Sequence, residues 1–283
     1  MVDPAGAFRI IRPVNCVMMG FAVLVGAAIG GGAGLLSSPR ELFLAFLTGL
    51  FMTGGAMAVN DYYDREIDAI NEPGRPIPSG AVSPGEALVI SGVFSVLGLG
   101  SAWLTSVNNL AIGVFAWVAM MAYSTFGKRT GFPGNLMVSA CVSLPFVYGG
   151  IMAGGGAMGS SVLFALIAFM ANTGREVTKG IVDVEGDRAS GIKTVAVSRG
   201  PGVAVWVSVA LYISAVLVSY VPVYLGLVSI WYSPFVALTD IGLMYLSYSL
   251  VVDPSRENSR RVKNRVLPLM LSGLVGFLAG SLL

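Results

Sequence analysis

Five aspartates carry the chemical signal of this sequence. Three of them, Asp61, Asp64 and Asp68, follow Asn60 in the run NDYYDREID. Spacings of three and four residues place them on one face of a helix, each a turn from the next. Carboxylates at that spacing repel one another, and the negative end of a helix dipole adds to the cost, so the stripe calls for a cation. Hard oxygen ligands point to magnesium, which takes one or two carboxylates and completes its shell with water and phosphate oxygens. The run DVEGD repeats the spacing with Asp183 and Asp187. Facing each other, Asp61, Asp64, Asp68, Asp183 and Asp187 would clamp one diphosphate through magnesium. On the same reasoning, removing one carboxylate relieves repulsion and stabilises the metal-free helix by a few tenths of a kcal/mol.

Basic residues accompany both runs. Arg75 lies in NEPGRPIPSG, Lys128 and Arg129 follow the fourth apolar segment, and Arg175, Lys179 and Lys193 surround the second aspartate pair. All six are candidate phosphate ligands. Arg175 and Lys179 stand out, because they interrupt the end of an apolar segment, where ionisable residues usually face the bundle interior. The run from Arg256 to Arg265 is explained by the bias of basic loops to one membrane face, and is given no catalytic role. Asn60 and Tyr123 either orient a carboxylate or head group, or serve as ordinary hydrogen bonders inside helices. The sequence has no histidine, which excludes imidazole general bases, haem ligation through imidazole and most catalytic zinc sites. Cys16 and Cys141 fall in apolar segments, as small buried hydrophobes do, and no disulfide framework is indicated.

The elements that must position these groups are membrane spans. The 283 residues are 55% hydrophobic and 11% charged, and the mean hydropathy of +0.79 is too high for a soluble domain of this length. Segments near 14–36, 41–60, 86–104, 108–126, 134–153, 160–180, 203–224, 229–252 and 266–283 are each long and apolar enough to cross a bilayer. The expected fold is an all-α membrane protein with nine transmembrane helices, read as one domain over 1–283. Positions 1–11 do not resemble a cleavable signal peptide. Of the 17 Lys and Arg residues, all but Arg40 fall on one face in this nine-span topology. By the positive-inside rule the N-terminus and both aspartate motifs are cytoplasmic and the C-terminus lies outside. A secondary transporter also carries ionisable groups in a bundle, but its sites usually lie near the midplane. Asp240 is the one obvious midspan acid here, and pairing with a Tyr or Ser inside the bundle accounts for it.

These residues resemble the UbiA superfamily of intramembrane prenyltransferases, whose hallmarks are an NDxxDxxxD motif and a later DxxxD motif. The resemblance extends over nearly the whole chain: RPVN at the first span, NDYYDREID with RPIPSG, the tyrosine and lysine of YSTFGK, and DVEGDRASGIKT. It implies helices bundled around a central cavity, Mg2+ bound by both aspartate motifs, and an isoprenyl diphosphate donor held head-up at the cytoplasmic side. Within the superfamily, REVTKGIVDVEGDRASGIKT is most similar to the archaeal branch that transfers a geranylgeranyl group from geranylgeranyl diphosphate to geranylgeranylglyceryl phosphate in ether-lipid synthesis. Relatives that prenylate an aromatic acceptor such as 4-hydroxybenzoate, in quinone synthesis, share the aspartates. The partners implied are the donor, a lipid or aromatic acceptor and membrane lipids, with no nucleic acid.

Overall fold

A computed structural model describes residues 3–156 and 158–283, so the first two positions of the N-terminal segment lie outside it. Among the described residues, nine helices have 19 residues or more, one for each expected span. In chain order the α-helices are α1 (Pro4–Ile10), α2 (Pro13–Gly31), α3 (Pro39–Asn71), α4 (Pro84–Thr105), α5 (Val107–Thr125), α6 (Phe132–Met152), α7 (Met158–Val182), α8 (Val184–Ala189), α9 (Val195–Arg199), α10 (Pro201–Ser219), α11 (Val221–Tyr224), α12 (Tyr232–Val252) and α13 (Arg256–Leu282). The short ones are α1, α8, α9 and α11, and no strand occurs among the described residues. The protein is an all-helical, multi-pass membrane protein.

Three boundaries differ from the hydropathy reading, each for a physical reason. The helix of the first span, α2, stops at Gly31, where Gly32 takes φ 55° and a 3-10 turn, Gly32–Ser37, follows. α3 continues through all of NDYYDREID to Asn71, and its 33 residues amount to about 50 Å at 1.5 Å per residue. That exceeds a hydrocarbon core of roughly 30 Å, so the last turns of α3 leave the apolar layer as a helix and carry the aspartates with them. α13 starts at Arg256, capped by the Ser255 side chain, which puts the basic run on a helix rather than in a loop. Hydropathy marks only the apolar part of a helix, whereas Arg, Lys and Glu are good helix formers that extend it.

Eight of the nine long helices are apolar enough to span a membrane by composition alone. The exception is α7, which carries Asn172, Arg175, Glu176 and Lys179 and packs against α2, α6, α10 and α13. Shielded from lipid by those neighbours, it can be the most polar of the set. Close helix approach depends on glycine: a Cβ at Gly149 would lie 2.3 Å from the Ala27 nitrogen, and one at Gly26 would lie 2.5 Å from the Phe146 carbonyl oxygen. Small residues at such crossings let backbones of membrane helices meet. Phe146, Phe164, Tyr232 and Phe277 form an aromatic core, with Phe164 and Phe277 ring centres 4.6 Å apart. Trp103, Trp206, Leu217 and Ile241 point outward, as suits a lipid-facing surface.

Candidate active site

The site is built first by the end of α3. Asp61, Asp64 and Asp68 are 2%, 2% and 4% exposed, so the face on which they recur is turned inward rather than to solvent. Each meets a cation from a different part of the chain. Arg12 places a guanidinium nitrogen 2.5 Å from Asp61 Oδ1. Arg75, from the turn after α3, lies 2.5 Å from Asp68 Oδ2 and 3.4 Å from Asp61 Oδ1. Lys128 Nζ lies 2.5 Å from Asp64 Oδ2, which also accepts a hydrogen bond of 2.7 Å from Asn60 Nδ2. The stripe is therefore matched by positive charge, and the repulsion inferred from sequence is relieved by these pairs. Burial alone would depress the Arg75 guanidinium, yet the Asp68 and Asp61 charges more than offset it and hold Arg75 above its ordinary value.

The second motif arrives from the opposite side. α7 ends at Val182, Asp183 forms the bend, and α8 carries Asp187 with its N–H bonded to the Asp183 carbonyl at 2.9 Å. Asp187 is buried, and that burial, together with the Asp183 charge, pushes its carboxyl up to about 6 against the opposing pull of Lys128 and Lys179. Lys128 thus acts on both motifs. A direct latch joins them too: Asn71, the last residue of α3, accepts the Gly186 N–H at 3.2 Å. A Cβ at position 186 would lie 2.4 Å from the Asn71 amide nitrogen, so the glycine in DVEGD is what lets α8 dock on α3.

Two buried oxygens at the site have no hydrogen-bond partner, Asn60 Oδ1 and Asp61 Oδ2. Both are pure acceptors, and an orphaned buried acceptor is costly unless a donor or cation meets it. This donor set suits a hard divalent cation. As the side chains now stand, no three carboxylates among the described residues converge on one ion, and Arg12, Arg75 and Lys128 pair with one oxygen each of Asp61, Asp68 and Asp64.

A cavity of about 450 Å³ opens beside the motifs and runs into the bundle to Phe146, Leu274 and Phe277. Of the residues singled out from sequence, Asn60, Arg75, Tyr123, Arg175 and Lys179 line it; Lys128 and the five aspartates do not, and Asp61, Asp64 and Asp68 meet it through Arg12, Asn60 and Arg75. Arg129 and Lys193 do not join them. Arg129 is exposed on the 3-10 turn Gly127–Thr130, and Lys193 is exposed on a separate surface beside Thr130 and Phe132. Sequence proximity to a motif brought them into consideration, but the turn geometry carries them outward. Sequence reasoning missed several polar lining residues, among them Arg12, Glu176, Lys263 and Asn264. Arg12 was legible within RPVN, and its left-handed backbone (φ 52°), unique among the described non-glycine residues, marks a constrained position of the sort found at functional sites. Lys263 was set aside with the basic run, yet the extension of α13 turns it inward. Asp240 also faces the cavity, where it accepts a hydrogen bond from Ser219 at 2.7 Å, while Tyr232 donates to the Ser219 carbonyl. It is a satisfied interior acid.

The profile of the UbiA prenyltransferase family matches residues 19–273. The digeranylgeranylglyceryl phosphate synthase of Natronomonas pharaonis is 38% identical over 254 residues, covering 88% of this chain and 89% of the relative. That of Methanopyrus kandleri is 37% identical over 276 residues, covering 97% and 98%. A solved digeranylgeranylglyceryl phosphate synthase superposes with a TM-score of 0.76 at 26% identity over 99% of both chains. A UbiA homologue from Archaeoglobus fulgidus, solved with DMAPP and Mg2+, shares the fold with a TM-score of 0.65 at 19% identity, covering 98% of this chain and 99% of its own. Nine long helices among the described residues, two aspartate motifs joined through Asn71 and Gly186 beside an apolar cavity, and a sequence match across most of the chain lead to one assignment: the chain belongs to the UbiA prenyltransferase family.

Proposed function

We propose that this protein transfers the geranylgeranyl group of geranylgeranyl diphosphate to the free hydroxyl of geranylgeranylglyceryl phosphate, the step that gives archaeal ether lipids their second chain. The observation that carries the reading is the convergence of both aspartate motifs, with Arg75 and Lys128, beside an apolar cavity. The curated archaeal relatives support the choice of acceptor.

Asp61, Asp64 and Asp68 on one side and Asp183 and Asp187 on the other would hold magnesium. Bound there, magnesium supplies positive charge that neutralises the diphosphate as it leaves. Arg75 and Lys128 donate charge-assisted hydrogen bonds to the same oxygens, a contribution that grows as negative charge develops. The bond between C1 and the diphosphate oxygen breaks with its electron pair going to the diphosphate, and the acceptor hydroxyl attacks C1 to form the ether, its proton leaving with the released diphosphate. Apolar walls from α2, α3, α6, α7 and α13 hold the lipid chains and keep water from the allylic centre. Tyr123 lines the cavity on the motif side and orients the reacting head group. Incubating purified protein with geranylgeranyl diphosphate, magnesium and a set of acceptors tests the reading. The product expected by mass is digeranylgeranylglyceryl phosphate, and prenylated 4-hydroxybenzoate in its place would overturn it.

The site faces the cytoplasm in this reading, with the N-terminus on the same side and the C-terminus outside. In a protein freed of Cys16 and Cys141, single cysteines at Ser79 and Ser190 are expected to share one accessibility to an impermeant thiol reagent, opposite to that at Ser38 and Ser160. Equal labelling of all four would sink the topology.

A further inference from the structure

One charged cluster in the cavity is not used by diphosphate ionisation. Arg175 and Lys179 on α7 share Glu176, at 3.2 Å and 3.7 Å. The Arg175 Nε also donates to the Lys263 carbonyl at 3.2 Å, tying α7 to α13 at this level. Lys263 itself lines the cavity and pairs with no carboxylate among the described residues.

The charge balance here differs from that at the first motif. There, Arg12, Arg75 and Lys128 face Asp61, Asp64 and Asp68, cation for carboxylate. On the α7 and α13 wall, Arg175 and Lys179 pair directly with Glu176 alone, and Lys263 with no carboxylate among the described residues. Asp183 lies within the field of Lys179 and Lys263, and Glu72 within that of Lys263, but Glu72 is paired with Arg260 at 3.2 Å and Asp183 serves the metal in the proposed clamp, which leaves a surplus of two positive charges on this wall. Unbalanced cations beside an apolar cavity are costly and need an anion. The missing charge of about two matches a phosphate monoester, which carries roughly −1.5 to −2 near neutral pH. An aromatic carboxylate would supply only one.

We infer that Arg175, Lys179 and Lys263 form a subsite for the phosphate of the acceptor, separate from the metal and diphosphate site. The inference rests on the proposed transfer to a glycerophosphate, and it identifies what selects that acceptor. Its position beside Asp183 anchors the acceptor head group at the end of the cavity where the donor ionises. Glu176 is a positioning residue, which holds Arg175 and Lys179 side by side. Arginine and lysine together suit phosphate, one as a planar fork of donors and the other as a point charge.

Lys263 is the residue to replace, since no partner among the described residues loses a contact with it. Kinetics would be run with geranylgeranyl diphosphate and magnesium, using geranylgeranylglyceryl phosphate and its phosphate-free analogue geranylgeranylglycerol as acceptors. Lys263→Gln is expected to raise KM for the phosphorylated acceptor about tenfold, the effect of losing one charged hydrogen bond. KM for the donor should stay within about twofold on the same reasoning, because the diphosphate has other ligands. KM for geranylgeranylglycerol should match that of the wild type, and Lys263→Arg should restore most of the loss. An unchanged acceptor KM in Lys263→Gln, while the wild type uses the glycerophosphate, would overturn the subsite alone. An equal rise in donor KM would also overturn it, by assigning Lys263 to the diphosphate. A wild type that ignores the glycerophosphate would overturn the proposed function as well.

Discussion

Replacing Asp64 or Asp183 by asparagine is expected to lower kcat/KM with geranylgeranyl diphosphate by at least a hundredfold to a thousandfold, the usual consequence of removing one group that stabilises developing negative charge. Asparagine keeps the shape of the side chain and removes the charge that magnesium requires. Because the two aspartates belong to one clamp, the double variant should be little worse than either single one. Near wild-type turnover in Asp183→Asn beside an inactive Asp64→Asn would make the second motif structural and defeat the two-sided arrangement.

Stability in the same variants separates the two sites further. Sequence spacing alone suggests that losing Asp64 relieves repulsion. The structure reverses that sign, since Asp64 Oδ2 lies 2.5 Å from Lys128 Nζ and accepts from Asn60 at 2.7 Å. Asparagine at 64 leaves Lys128 without its counterion, at a cost of about 1–3 kcal/mol for an unsatisfied buried charged partner. The lower end applies, because the Lys128 side chain is 18% exposed and can turn toward water. Asp183 is half-buried and makes no side-chain cap bond, so Asp183→Asn should leave thermal unfolding in detergent nearly unchanged.

Fold class was legible because the membrane imposes a simple rule: each span must be long, apolar and hydrogen-bonded within itself. The aspartate motifs were legible as carboxylates recurring on one helix face, and the burial of Asp61, Asp64, Asp68 and Asp187 sets them apart from a solvated helix end. What the sequence hid was pairing over long separations. Nothing in RPVN announces that Arg12 reaches Asp61, nor does DVEGD reveal that Gly186 must be small to admit Asn71. Lys263 and Lys193 show the same limit from opposite sides. Lys263 was set aside as a basic loop residue until α13 proved to extend over it, and Lys193 looked close to the second motif until its turn carried it outward. Local patterns identify the groups, whereas helix length and rotation decide where they point.

Removing divalent metal is expected to abolish transfer completely, with activity returning on addition of magnesium or manganese. The arrangement of charges predicts more than simple dependence. Without metal, Arg12, Arg75 and Lys128 neutralise Asp61, Asp68 and Asp64, so an added ion must compete with three cations already in place. A diphosphate alone meets those cations only by drawing them away from the carboxylates. Supplied together, the ion takes the carboxylates and the diphosphate takes the basic residues, so each relieves what opposes the other. Binding should therefore be cooperative, and by linkage each ligand should tighten the other by the same factor. Thermal unfolding of the purified protein gives a readout independent of turnover, because a ligand raises Tm according to how tightly it binds the folded state. Magnesium alone and geranylgeranyl diphosphate alone should each shift Tm little, and the two together by clearly more than the sum. In Asp64→Asn the excess over the sum should vanish. Full activity in chelator would refute the metal clamp itself, and a shift with magnesium alone as large as with both would show that the carboxylates bind metal independently of the diphosphate. The exchange of partners between the basic residues and the aspartates would then have no part in catalysis.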